Sequence, residues 1–369
     1  MASTRMGRWG SDLYTGKRSY QIVGHRRRWY AISATIIVIS ALLLVTKGLT
    51  LSIEFRGGSE FTLSNVSDTS QQPAIDAVTA IQPDEVPRVS VVGGSSLRVQ
   101  TGQLDDAQTQ EVAAALAAAY GIPTDQVSTT YIGPSWGKDV TDKAVRGLIV
   151  FLVLVTLVMT IYFRNWRMAV AALVALVHDM IITVGLYTGT GWEVSPATVI
   201  GFLTILGYSI YDTVVVFDKV RENNERLLEQ KRFTHAELSN LAVNQTLVRS
   251  INTSVVALLP VSGILFIGAF LLGAGTLRDI ALALFIGIIA GTFSSIFIAT
   301  PVEVSLRERE PAVREHTKAV LEARAAAGMT AEDVAAEPVR VGASVPGQHL
   351  GVGAQPKRRK TNRGPGRTS

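Results

Sequence analysis

Three stretches of the sequence hold groups able to do chemistry in apolar surroundings. In GYSIYDTVVVFDKVREN, residues 207–223, Asp212 stands inside an apolar run that closes only at Asp218, Lys219 and Arg221. In VALVHDMIITVG, His178 and Asp179 lie near the middle of another run, and in NQTLVRSINTS, 244–254, Arg249 opens a third. A carboxylate about five residues from the end of a membrane helix sits roughly 8 Å inside, at about 1.5 Å per residue, and aspartate is too short to reach back to water. Keeping it ionised there costs about 2–3 kcal/mol on insertion scales, so Asp212 must face a bundle interior, a partner or water.

The helical face of Asp212 holds Gly201, Ile205, Tyr208, Ser209, Val215 and Val216. Gly201 and Ser209 permit close helix approach, while Tyr208 and Ser209 offer hydrogen bonds. The same surroundings suit a proton carrier and a carboxylate that merely glues helices. His178 and Asp179 diverge by about 100° on a helix, so they cannot both face one partner squarely. Asp179 shares its face with Ala172, Ala175, Ile182 and Thr183. His178 suits a proton relay by its titration range and equally suits a neutral hydrogen-bonding role.

Gln245, Arg249, Asn252 and Thr253 share one face of the third stretch. With a helix start near Asn244, Arg249 lies about as deep as Asp212, which opens an Arg–Asp pair across neighbouring helices. Protonating the aspartate would then release the arginine, giving a two-state element that a proton can bias. The alternative is an interfacial arginine reaching lipid headgroups.

The elements that must position these groups are membrane helices. The 369 residues are 47% hydrophobic and 18% charged, with mean hydropathy +0.28, a membrane-protein composition. Six segments approach the roughly 20 apolar residues a crossing needs: 29–46, 145–162, 168–187, 197–217, 251–272 and 280–300. The first follows His25-Arg26-Arg27-Arg28 and reads as a retained anchor. The basic residues before it, the Arg164/Arg167 turn and the basic 218–243 connector alternate with a 48–138 loop holding four Lys/Arg against ten Asp/Glu. Both termini, 1–28 and 302–369, are therefore expected in the cytoplasm. Pro260 and the glycines at 263, 268 and 273 would permit bending in span five.

The 48–138 loop has the pattern of an external domain. SEFTLSN reads as a strand and SQQPAIDAVTAI as a helix capped by Ser70 with Pro73 in its first turn. RVSVVGGSSLRVQT reads as a hairpin at Gly93-Gly94, DDAQTQEVAAALAAAYG as a helix stopped by Gly121 and Pro123, and DQVSTTYIG as a last strand. The order β-α-β-β-α-β is the α+β ferredoxin-like arrangement. The connector is expected to be helical over DKVRENNERLLEQK. The tail is expected to open with a helix over REREPAVREHTKAVLEARAAAG and to become disordered over its last 40 or so residues.

Zero cysteines rule out disulfides and thiolate sites, and neither GxxxxGK[ST] nor HExxH occurs. No metal, cofactor, catalytic residue or specific nucleic-acid partner is expected. Work without nucleotide would draw on an ion gradient, about 2.3 kcal/mol per charge per 100 mV.

GYSIYDTVVVFDKVREN resembles the signature of the SecF family of protein-export membrane proteins in the RND (resistance–nodulation–division) superfamily. SIEFRGGSEF, with Gly57 and Gly58, resembles the family's glycine-pair element; VHDMIITVG and TLVRSINTS resemble two further motifs in the same order. The resemblance covers about 29–300. Tyr211, Glu54, Arg56 and Ser250 depart from the usual family residues without removing an ionisable site. It implies a six-helix RND half-transporter with SecD as heterodimer partner, docked on the SecYEG channel in a bacterial inner membrane. There it would promote export of the translocating polypeptide with the proton-motive force. It also implies that Asp212 and Arg249 belong to the proton pathway, with His178 and Asp179 as further participants and Tyr208, Ser209, Asn252 and Thr253 in support. Six spans are half of a twelve-span transporter, so a second half must come from elsewhere. Rival readings are a non-transporting scaffold of the channel and a half-size RND exporter of lipids or small molecules; the 90-residue loop is small for the latter.

Overall fold

The computed structural model describes residues 5–16, 18–92, 94–271 and 275–329. The expected disorder of the final residues lies outside that range. Six helices among the described residues are long and apolar enough to cross a membrane. They form a multi-pass bundle that carries one small sheet domain at one end, here the domain end; the described residues before the first crossing and after the last lie at the opposite end, here the terminal end.

A short helix, α1 (Arg5–Tyr14), packs at the terminal end, and α2 (Arg26–Lys47) is the first crossing. α2 is attached by a narrow seam: Ser33 and Ser40 are buried, whereas Ile32, Val38, Ile39, Leu42 and Val45 point outward. The other crossings are α6 (Pro134–Phe163), α7 (Trp166–Thr190), α8 (Pro196–Asn224), α9 (His235–Gly263) and the last helix. That last helix is built from α10 (Gly275–Ser294), a π-helical segment Ser295–Ala299 and α11 (Thr300–Arg307). A second π-helical stretch, Ile264–Leu271, continues α9 four residues beyond Pro260. The innermost helices are α7 and α8, whose small and β-branched faces, including Ala172, Ala175, Ile205 and Val216, are fully covered.

The connector between spans four and five is shorter than the sequence suggests. α8 continues as helix through Asn224 and α9 already begins at His235, so only 225–234 link them. Charged residues past Phe217 do not end the helix, because Lys219, Arg221 and Glu222 are themselves good helix formers. α9 starts with a capping box in which Thr234 accepts from the Glu237 N–H and Glu237 accepts from the Thr234 N–H. The tail helix is broken at 308–310 and resumes as α12 (Pro311–Ala326), with Pro311 at its first turn.

Between α2 and α6 the chain forms a one-turn helix, α3 (Ile53–Arg56), and the domain itself. Its elements are β1 (Gly58–Leu63), α4 (Gln72–Ile81), β2 (Arg88–Val92), β3 (Ser96–Thr101), α5 (Asp106–Tyr120) and β4 (Val127–Ile132). The sheet order β2-β3-β1-β4, antiparallel throughout, is the ferredoxin-like topology. Phe61, Leu63, Leu97 and Val99 alternate onto the face covered by α4 and α5. Glu60, Arg98 and Gln100 occupy the other face.

Ser70 does not cap α4. It turns back onto Asp68, with Oγ 2.8 Å from Oδ2. The Tyr120 hydroxyl takes over instead, accepting from the Ala74 N–H at 3.2 Å and donating to the Ser70 carbonyl at 2.6 Å. Burial pushes this phenol above its ordinary pKa, so it stays a donor across the neutral range. Tyr120→Phe is expected to cost about 1–2 kcal/mol by orphaning both groups, read as faster hydrogen exchange over 72–81 in the full chain.

Candidate functional site

The segment that carries the glycine pair ties the domain to the bundle. Gly57 ends α3 with φ +78°, its N–H bonding the Ile53 carbonyl at 2.8 Å. Gly58 has φ +140°, and a side chain there would run into the Thr101 carbonyl. Just before α3, Leu51 bridges Val194 in the α7–α8 loop: Val194 N donates to Thr50 O at 2.7 Å and Ser52 N to Val194 O at 3.1 Å. Glu193 of that loop accepts from Gln100 at 2.9 Å, and Gln100 also donates to Glu60 at 3.0 Å. The polar face of the sheet and the glycine element thus grip the loop that joins the two innermost helices.

Those helices carry the buried carboxylates. Asp179 of α7 is wholly inaccessible and Asp212 of α8 is 3% exposed. Asp212 Oδ1 accepts from Ser250 of α9 at 2.8 Å, and Oδ2 accepts from Ser295 of the last helix. Asp179 Oδ2 accepts from Ser209 of α8 at 2.5 Å and from Ser294 at 2.7 Å. Two adjacent serines on the last helix therefore serve two different carboxylates. Ser209 and Asp212 lie three residues apart on α8, which places them on one face and links the two centres. Behind Ser250 a further chain runs Tyr208 to Ser254 at 3.4 Å and Ser254 to Thr292 at 2.5 Å.

All four serine donors to these carboxylates are hydroxyls. A hydroxyl donates to a carboxylate and, after turning, accepts from a carboxylic acid, so the shell can satisfy either protonation state. An arginine cannot do this, because it has donors only. The π-helical segment begins at Ser295, where the looser i→i+5 winding re-aims consecutive side chains.

His178 and Asp179 diverge as expected of neighbours on a helix, yet they bond each other: Nδ1 lies 3.0 Å from Asp179 Oδ1. His178 stacks on Phe293, ring centroids 6.1 Å apart, and its Nε2 has no partner despite being buried. The imidazole is thus held on one side and available on the other.

The expected pair between Asp212 and Arg249 is absent. Arg249 is exposed on the bundle surface and makes no ion pair among the described residues. It lines a groove of about 660 Å³ with Tyr14, Asp218 and Gln245 among others. Depth from the helix start sets the height of a side chain but not its rotation: Ser250, one residue on and about 100° round, takes the place facing Asp212. Asn252 is exposed, and Thr253 folds back to donate to the Arg249 carbonyl at 2.8 Å. Neither joins the carboxylate centre. Ser250, Ser254, Thr292, Ser294 and Ser295 belong to it and carry little signal in the sequence.

The C-terminal model of the protein export membrane proteins SecD/SecF matches residues 112–309, and the SecD/SecF GG motif matches 42–64. The protein translocase subunit SecF of Streptomyces coelicolor is 46% identical over 338 residues, 90% of each chain. The chain belongs to the SecF family. The SecF of Mycobacterium tuberculosis H37Rv is 42% identical over 85% of this chain and 73% of its own. The crystal structure of SecDF, a translocon-associated membrane protein from Thermus thermophilus, superposes with TM-score 0.69 at 31% identity and covers 80% of this chain. The SecF-family chain spans only 39% of that longer protein. The stretch matched by the GG motif thus includes the segment that holds the domain to the α7–α8 loop, and the stretch matched by the C-terminal model includes Asp179 and Asp212.

Proposed function

We propose that this chain is an accessory subunit of the Sec protein translocase in the bacterial inner membrane, with both termini in the cytoplasm and the sheet domain outside. It works with SecD on the SecYEG channel and uses the proton-motive force to promote export of the emerging polypeptide. The observation that carries the reading is the pair of buried carboxylates held, among the described residues, only by serine hydroxyls and by His178, an arrangement that suits reversible protonation. The SecD association draws on the fusion of both halves in the SecDF relative.

Asp212 is the proton carrier, with Asp179 and His178 as a second station linked through Ser209 and the Ser294-Ser295 pair. Arg249 acts in a second state: a turn of α9 by about 100° exchanges Ser250 for Arg249 opposite an ionised Asp212. The π-helical stretch at Ile264–Leu271 and Pro260 give α9 the compliance for such a turn. Movement of α8 reaches the outside through Val194 and Glu193, which the external domain holds.

The test is release of a secretory protein from energised inner-membrane vesicles with and without this chain, at matched SecD and SecY levels and fixed ATP. The gradient-dependent component of release is expected to vanish when the chain is absent. A gradient-dependent component of equal size without the chain would leave only the scaffold reading.

A further inference from the structure

A second buried acid–base pair stands at the terminal end, outside the serine-held centre. Glu303 of α11 is wholly inaccessible and His235, at the start of α9, is 1% exposed; His235 Nε2 lies 3.2 Å from Glu303 Oε2. The other imidazole nitrogen, Nδ1, meets the Asn224 side-chain carbonyl of α8 at 2.8 Å, and Glu303 Oε1 has no hydrogen-bond partner. Both residues line a cavity of about 810 Å³ that opens between the α6–α7 turn and the end of α8.

The surrounding charges leave Glu303 Oε1 without a hydrogen bond. Arg307 approaches Glu303 Oε1 only to 4.0 Å and spends its better contact on Glu310, at 2.8 Å. Arg167 of α7 also takes Glu310, at 2.6 Å. Glu237, two residues along α9, is held by Arg324 at 2.7 Å, and Arg26 of α2 by Glu308 at 2.8 Å. From α8 the cavity wall carries Asp218, Arg221, Glu222 and Glu225, with Arg164 from the turn; these line its exposed part. A buried carboxylate oxygen without a donor is costly, and a proton taken up by Glu303 removes the charge that makes it so.

We infer that Glu303 and His235 form the proton-release site on the cytoplasmic face, a role that rests on the proton-driven reading above. A proton leaving the Asp212 carboxylic acid passes by intervening water to the Glu303 carboxylate, is shared between its Oε2 and His235 Nε2, and is given to water in the cavity. Asp212 is left as carboxylate and Glu303 returns to its starting state. Glu303 lies eight residues from Ser295, about 12 Å along the same helix. Between them runs the π-helical segment, through which a shift of α11 moves the two serines that hold Asp179 and Asp212.

The experiment uses inverted membrane vesicles containing the full chain with SecD and SecYEG. The rate of gradient-driven release is followed as the pH bathing the cytoplasmic face is varied at fixed proton-motive force. In wild type the rate is expected to rise through a midpoint as that pH rises and release becomes easier. Glu303→Gln is expected to lower the gradient-driven rate by ~100-fold and to abolish the pH dependence, the lower end of what a positioned proton acceptor contributes. His235→Gln, which keeps a hydrogen-bonding side chain, is expected to displace the midpoint by about one pH unit while leaving release measurable. If Glu303→Gln does not accumulate in the membrane, the His235→Gln midpoint decides alone. Unchanged rates and profiles in these variants, alongside a silent Asp212→Asn, overturn the release site and leave the proton-driven reading standing. An active Asp212→Asn overturns both.

Discussion

Gly185→Leu is expected to abolish accumulation of the folded protein, whereas Gly207→Ala leaves it unaffected. The two glycines sit in membrane helices, α7 and α8, and differ only in what lies opposite. A side chain begun at Gly185 would clash with Ser40, its Cβ 2.6 Å from the Ser40 Cα and 2.8 Å from the carbonyl oxygen. Nothing lies within 4 Å of the corresponding point at Gly207. Since the obstacle is backbone, no rotamer change relieves it, and α2 must move bodily away from α7. Overpacking of an interior by a few atoms costs about 1–3 kcal/mol where side chains can give way, and more where they cannot. Besides the buried Ser33 and Ser40, α2 is seated by Trp29, whose ring centroid lies 4.1 Å from that of Phe297, and by the half-buried Ile36, Ile37, Leu43 and Leu44, contacts that displacement of the helix would loosen together. It also leads directly into the Leu51–Val194 bridge, so its displacement would loosen the external domain as well. Thermal unfolding in detergent checks the order: Gly207→Ala at or above wild type, Gly185→Ala below it, Gly185→Leu not recovered. An undiminished Gly185→Leu would show that α2 is not seated by close backbone contact.

The parts of this architecture that were legible in the sequence are those set by long-range pattern. Six apolar runs and a β-α-β-β-α-β alternation determine the bundle and the sheet domain because each depends on many residues at once. Asp179 and Asp212 were visible for the opposite reason: one carboxylate in an apolar run is anomalous by itself. The donors around them were not visible. Serine is common in membrane helices as a small packing residue, so Ser294 and Ser295 in GTFSSIFIAT look like spacers until the last helix is set against α7 and α8. Their separate aim also depends on the π-helical segment, which has no clear sequence signature.

Arg249 shows the limit of a depth argument. Counting residues from a helix start fixes the height of a side chain to a few ångströms, while its azimuth turns 100° per residue, so an error of one residue in phase exchanges partners. The exposed Arg249 and the buried Ser250 are that exchange. Glu303 and His235 escaped notice because they lie where charged residues are ordinary, in the basic connector and the start of the tail. Only the continuation of α8 to Asn224 and the early start of α9 enclose them.

Asp212→Asn is expected to reduce release of a secretory protein in energised vesicles to the rate seen with the gradient collapsed, with little loss of stability. The amide has nearly the volume of the carboxylate, and its oxygen can still accept from one serine hydroxyl. Its NH₂ group can donate to the other serine once that hydroxyl turns, so Ser250 and Ser295 both stay partnered. Keeping both hydrogen bonds holds the change in stability to about 1 kcal/mol. The substitution therefore removes one property, the capacity to gain and lose a proton. Asp212→Ala removes the hydrogen bonds too and is expected to cost a further 1–3 kcal/mol or so by stranding both serines, which an unfolding curve in detergent would register. Ser295→Ala keeps the carboxylate with Ser250 as its remaining donor and is expected to slow release without abolishing its dependence on the gradient. If the asparagine variant instead retains gradient-dependent release while the alanine variant loses it, the two serine hydrogen bonds are what matters at this position. The carboxylate would then be a helix tie, and the energy of the gradient would have to enter elsewhere.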